Sequence, residues 1–182
     1  MSLAPECMET ERVLLRRFVP GDGGKIFNAY GSDPEVARYM VWPVASKPEN
    51  MEAFVTQNIA AFDAGTAYEY VIVQKSTKQI IGGCGMHRFY PKSGDHFVFG
   101  YCLSRSAWGQ GFATEVVGAL VNWFRSSPTV YRFAAQVDVE NGASCKVLEK
   151  HGFSREGILH RWEVHPTLGA APRDCVMYAL FR

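Results

Sequence analysis

From His96 to Val139 the chain reads HFVFGYCLS, RSAWGQGFATEVVGALVNWFRSSPT and VYRFAAQVDV. This is an apolar strand-like run, a glycine turn, a helical stripe, a proline stop and a second apolar run. Val116, Val117, Leu120, Val121 and Phe124 recur at helical spacing and need one buried face, and Pro128 bars the helix from continuing. A helix between two such strands has to pack on the sheet that contains them. The segment therefore predicts a strand–helix–strand unit and an α/β architecture.

The turn itself is spaced G-x-G-x-A, from Gly109 to Ala113. A helix amino terminus leaves its first backbone N–H groups without partners and carries a partial positive charge, so it attracts anions. Glycine lets a phosphate approach those N–H groups closely. Gly109, Gln110, Gly111, Phe112 and Ala113 are candidate backbone donors, and Thr114 adds a hydroxyl. The same spacing also serves simply to turn a strand into a helix. A Walker-type loop is excluded because no Gly-Lys-Ser or Gly-Lys-Thr occurs. A dinucleotide fold, with Asp138 as its ribose acid, fits locally. Only about forty residues follow Asp138, too few for further βαβ units of roughly 30 residues each.

The rest of the chain supplies a sheet and its cover. ERVLLRRF (Glu11 to Phe18) reads as a strand, and residues 1–10 as a flexible tail. Asp22 is a candidate cap for a helix through Tyr30, and Ser32-Asp33-Pro34-Glu35 starts another. Pro48 to Asp63 carries a helical stripe that Gly65 stops. AYEYVIVQK and QIIGGCGMHRF form a hairpin, and the loop from Pro91 to Asp95 leads to the strand beginning at His96. NGASCKVLEKHGF is a short helix capped by Asn141 and ended by Gly152, with Phe153 folding back over Val147 and Leu148. EGILHRW and DCVMYALF are the last two strands. With 182 residues, 47% of them apolar, the chain reads as one domain with a substantial core.

Composition excludes several functions. The formal net charge is +1 and no basic run tracks a phosphate backbone, so no direct nucleic-acid binding is expected. Five scattered cysteines without a C-x-x-C pair, and histidines at 151, 160 and 165 without ligand spacing, argue against disulfides and against a metal. With no signal-like amino terminus and no long apolar run, the expectation is a cytoplasmic protein that makes no membrane contact.

The element order, GYCLSRSAWGQGFATEVV and, some thirty residues later, VENGASCKVLEKHGFSREG together resemble the GNAT acyltransferases. The resemblance is to the branch that acetylates ribosomal-protein amino termini and related amines, and it spans ERVLLRRF to DCVMYALF. It implies a twisted, mostly antiparallel mixed sheet, splayed in the middle, with helices on both faces. It also implies acetyl transfer from acetyl-CoA to a primary amine, either a protein amino terminus or a small molecule, by a monomer or homodimer. By the same resemblance Gly109 to Thr114 hold the coenzyme pyrophosphate, Leu103 and its neighbours hold pantetheine and the thioester carbonyl, Asn141 bonds pantetheine and Lys146 meets a phosphate. Ser144 matches the family's helix serine and faces the departing sulfur, with Tyr101 as an alternative donor. Many members carry a glutamate two positions before the glycine of the GY pair, where this chain has Val98. His87 is then the candidate base, with Glu69 and His160 as rivals. Trp108 stands where many relatives have Arg or Gln, and Arg105 is the candidate compensating cation. The missing glutamate also motivates an alternative, a catalytically degenerate acyl-CoA-binding module.

Overall fold

The computed structural model describes residues 3–89 and 95–182. Its eight strands are β1 (Cys7–Glu9), β2 (Val13–Arg17), β3 (Ala67–Gln74), β4 (Ile80–Phe89), β5 (Asp95–Leu103), β6 (Val130–Asp138), β7 (Ser154–Glu163) and β8 (Arg173–Phe181). They form one sheet in the order β1-β2-β3-β4-β5-β6-β8-β7. The helices are α1 (Gly23–Ile26), which runs into a π-helical turn at Phe27–Gly31, α2 (Pro34–Ala37), α3 (Pro48–Ala64), α4 (Phe112–Ser126) and α5 (Gly142–Lys150). Most of the expected loop before β5 lies outside the described residues.

Every neighbouring pair in the sheet is antiparallel except β5 and β6. That parallel pair is bridged by α4, as the strand–helix–strand pattern requires. Its register runs only from Asp95 opposite Val130 to Val98 opposite Ala134. Beyond that point β5 continues on β4 as far as Leu103, and β6 continues on β8 as far as Asp138. The sheet therefore opens in its middle, from Phe99 onward.

Helices cover both faces. Phe18, Ile26, Tyr30, Val36 and Val55 pack with Val71 on the α1–α3 side. Val116, Val117, Leu120, Phe124 and Leu148 of α4 and α5 pack on Phe97, Phe99, Phe133 and Val137 on the other. Phe99 stacks on Phe133 with ring centroids 4.3 Å apart, so the two halves of the sheet share a core beneath the opening.

Two local expectations are corrected. Residues 3–10 are built into the fold: β1 pairs with β2, Tyr70 Oη donates to the Pro5 carbonyl (2.7 Å), and Leu3 N–H donates to Tyr68 Oη (3.1 Å). Buried tyrosine hydroxyls need partners, and this segment supplies them. Asp22 caps nothing through its side chain. It is buried and binds the Arg16 guanidinium through both oxygens, at 2.6 and 2.9 Å, and accepts from Val19 N–H. Asp33 does cap α2, accepting from Glu35 N–H, and Gly65 ends α3 in the left-handed region.

Candidate active site

The edge of β5 that faces the opening can be read from backbone alternation. Ser104 N–H donates to the Ile81 carbonyl on β4, and the β4–β5 register is continuous from Phe89 to Gly82. The backbone groups of Phe99, Tyr101 and Leu103 therefore point the other way, into the gap. The Leu103 carbonyl is already taken by the Trp108 indole N–H at 2.7 Å. Trp108 thus closes the end of the gap, and the acceptors left open along this edge belong to Phe99 and Tyr101.

The glycine turn lies just beyond. Gly109 and Gly111 have φ of +71° and +82°, which explains glycine at both positions, since side chains rarely tolerate that region. The first internal bond of α4 runs from Glu115 N–H to the Gly111 carbonyl. Among the described residues no acceptor takes the N–H groups of Gly109, Gln110, Gly111, Phe112, Ala113 or Thr114. Space is open above Gly109, where an added Cβ would meet nothing within 4 Å. The Gln110 side chain bonds the Ser106 carbonyl, which leaves Gln110 its backbone N–H for the turn, and the Thr114 carbonyl accepts from His151 Nε2.

The cation at this turn is not the expected one. Arg105 is held by Asp33 at 2.6 Å. Arg12, from the β1–β2 connection, donates to the Gln110 carbonyl (3.0 Å), pairs with Glu115 (2.7 Å) and lies over the Phe112 ring. Glu115 also accepts from Thr10 Oγ1 and Arg12 N–H. Burial pushes the Glu115 carboxyl up, but these bonds from Thr10 and Arg12 outweigh it and hold the group below the usual carboxylate range. The signal for Arg12 was indirect: a carboxylate in the first turn of a helix whose leading N–H groups stay open to an anion calls for a cation nearby.

On the far side of the gap, Asn141 caps α5 by accepting from Ser144 N–H. Ser144 Oγ lies 3.1 Å from Tyr101 Oη, so the serine and its alternative form one hydroxyl pair. Burial raises the Tyr101 phenol above its ordinary range, more than the bond to Ser144 lowers it, which keeps it protonated. Lys146 is exposed on α5 with no ion pair among the described residues.

The base candidates separate clearly. His160 is exposed on the outer hairpin and pairs with Asp174, outside the gap. His87 stands opposite Val98 in the β4–β5 register, and its Nε2 is 2.9 Å from Glu69 Oε1. The Glu69 carboxylate raises the imidazole above its ordinary value, against burial, which lowers it. Asp138 is buried against Arg173 Nε at 2.6 Å, so it is not the free ribose acid of a dinucleotide fold.

The model of the acetyltransferase (GNAT) domain matches residues 12–154. An uncharacterized N-acetyltransferase, p20, of Bacillus licheniformis is 33% identical over 159 residues, 87% of this chain and 88% of its own. The ribosomal-protein-serine acetyltransferase of Escherichia coli (strain K12) is 28% identical over 139 residues, 76% of this chain and 74% of that protein. The crystal structure of the Microcin C7 self immunity acetyltransferase MccE, in complex with acetyl-CoA and AMP, shares the fold. Its TM-score is 0.86 at 19% identity, with 100% of this chain and 99% of that one covered. An opened sheet with a glycine turn at the head of the crossover helix, matched over most of the chain by that domain model, places this protein in the GNAT family of N-acetyltransferases.

Proposed function

We propose that the protein moves an acetyl group from acetyl-CoA to a primary amine by direct attack in a ternary complex. The observation that carries this reading is the open β5 edge, with six unengaged N–H groups at one end and the Ser144–Tyr101 hydroxyl pair across the gap. The pyrophosphate lies on the N–H groups of Gly109 to Thr114, with Arg12 setting the turn and Lys146 meeting a phosphate. Pantetheine runs along β5 as an added strand, bonding the backbone of Phe99 and Tyr101, the Leu103 N–H and Asn141.

The amine first loses a proton to His87 and becomes nucleophilic. Its nitrogen then bonds the thioester carbon, backbone N–H groups of β5 stabilise the oxygen that gains charge, and the C–S bond breaks. The electron pair leaves on sulfur, which is protonated through the Ser144–Tyr101 pair. The second proton lost by nitrogen balances the one sulfur gains. The acceptor is a protein amino terminus or a small amine. The E. coli relative, by its name an acetyltransferase of a ribosomal-protein serine, supports the first.

Thiol release from acetyl-CoA, followed with peptides, polyamines and small amines, tests this function. Turnover is expected with at least one of them. Ser144→Ala is expected to lower kcat more than it alters acetyl-CoA affinity, and unchanged kcat removes its assigned role. Coenzyme binding with no turnover on any amine supports the degenerate module instead.

A further inference from the structure

The α1–α3 face of the sheet is cleared by glycine at three adjoining positions. Gly83 and Gly85 lie on β4, and Gly100 on β5 is the register partner of Gly85. A Cβ at Gly83 would come within 2.6 Å of Tyr30 Oη, on the π-helical turn, and one at Gly85 would collide with the Glu69 carboxylate. Gly100 is different, since a Cβ there would meet nothing within 4 Å. Glycine weakens a strand interior, and here two of the three make room for Tyr30 and for the Glu69 carboxylate, while the third, Gly100, leaves its place on the face open.

Glu69 lies flat in this clearing, its side chain only 14% exposed. Asp22, Asp95, Glu115 and Asp138 are comparably or more deeply covered, and each faces an arginine guanidinium. Glu69 has only the His87 imidazole, at Oε1, and no hydrogen bond engages its Oε2 among the described residues. A mostly covered carboxylate without a permanent cation attracts one strongly, because the low local dielectric sharpens charge-assisted bonds. The carboxylate rests over Gly85, one strand spacing, about 4.8 Å, from Gly100. Gly100 in turn sits between Phe99 and Tyr101, whose backbone groups line the gap on the other side of the strand.

We propose that Glu69 is the acceptor subsite, taking a primary ammonium group that enters over Gly100. This rests on the acetyl-transfer reading and sharpens it: the acceptor is a cationic, unhindered amine, bound as the ammonium ion before it yields its proton to His87.

The test is calorimetric binding of phenethylamine, butylamine and a tripeptide with a free amino terminus to the CoA-saturated protein, with phenethyl alcohol as the neutral control. At least one amine is expected to bind and the alcohol to fail. Glu69→Gln is expected to weaken the amine about 10- to 100-fold, the loss of one charge-assisted bond, with acetyl-CoA affinity within about twofold. Gly100→Val, at an open position with ordinary strand backbone, is expected to exclude the amine and spare the coenzyme. It provides a second route if Glu69→Gln fails to fold. Amine binding unchanged in both variants, or absent from the unmodified protein, overturns the subsite. Amine binding that depends on Glu69 without any thiol release overturns the acetyl-transfer reading and leaves the subsite standing. Turnover whose acceptor KM is unmoved in Glu69→Gln overturns the subsite alone.

Discussion

A single neighbour decides the protonation of His87. The Glu69 carboxylate holds the imidazolium form, so His87 titrates above its ordinary value of about 6.5. As a base His87 works neutral, so kcat/KM for an amine climbs as pH rises through that elevated value. Glu69→Gln removes the cause and moves the climb to lower pH. The ammonium of the acceptor titrates alike with both proteins, so the displacement between their profiles reports His87, and coincident profiles count against its role. The stability effect has the same origin. The imidazolium–carboxylate attraction is fully present below about 6.5 and fades as pH rises through the folded value, so His87→Gln should cost more at pH 6 than at pH 8.5 in urea midpoints. The sequence marked His87 by residue type and its rival Glu69 by strand position. That the two act as a pair was not legible, because it depends on Ala67 lying opposite His87 and Glu69 opposite Gly85 across a hairpin whose register shifts at Ile72 and Val73.

At the level of elements, the start of α4 was the most legible part of the molecule. Two glycines at fixed spacing before a helical stripe marked a tight turn at a helix start, and φ at Gly109 and Gly111 agrees. Arg12 was hidden because it lies 103 residues from Glu115, and no local spacing links them. With the coenzyme pyrophosphate at the turn, as proposed, Glu115 in the first turn would repel it and Arg12 would cancel that charge. Arg12→Ala is expected to weaken coenzyme A about three- to tenfold by calorimetry. Adding Glu115→Gln should restore part of the loss. Equal affinity in the single variant, or no recovery in the double one, would show that Arg12 only braces the turn. Glu115, held below the usual carboxylate range, contributes stability above about pH 4.3 that is lost as pH falls through its folded value.

Across the whole molecule, β1–β5 and β6–β8 with their helices meet along a short seam. Four register pairs join β5 to β6, from Asp95–Val130 to Val98–Ala134, before the strands part. The order of elements was readable from apolar periodicity, whereas the opening came from family resemblance alone, since nothing in the run HFVFGYCLS marks where its pairing stops. The β1 strand was missed because three residues carry too little alternation to be seen. A ligand lying along Phe99 to Leu103 and reaching α5 binds both halves at once and is absent from the unfolded chain, so its binding energy becomes folding energy. At a hundredfold excess over Kd this adds about 2.7 kcal/mol, and a chain of this length gains roughly 2–4 °C per kcal/mol. Acetyl-CoA is therefore expected to raise Tm by about 5–10 °C and to slow amide exchange at Phe99, Tyr101 and the residues of α5 that face them. Gly109→Asp sets a negative charge at the open approach to the turn, and aspartate tolerates its backbone conformation better than most side chains. A folded Gly109→Asp protein should lose most of the Tm shift. If it keeps the full shift, or if acetyl-CoA protects only α4, the coenzyme does not span the opening and the seam is not its site.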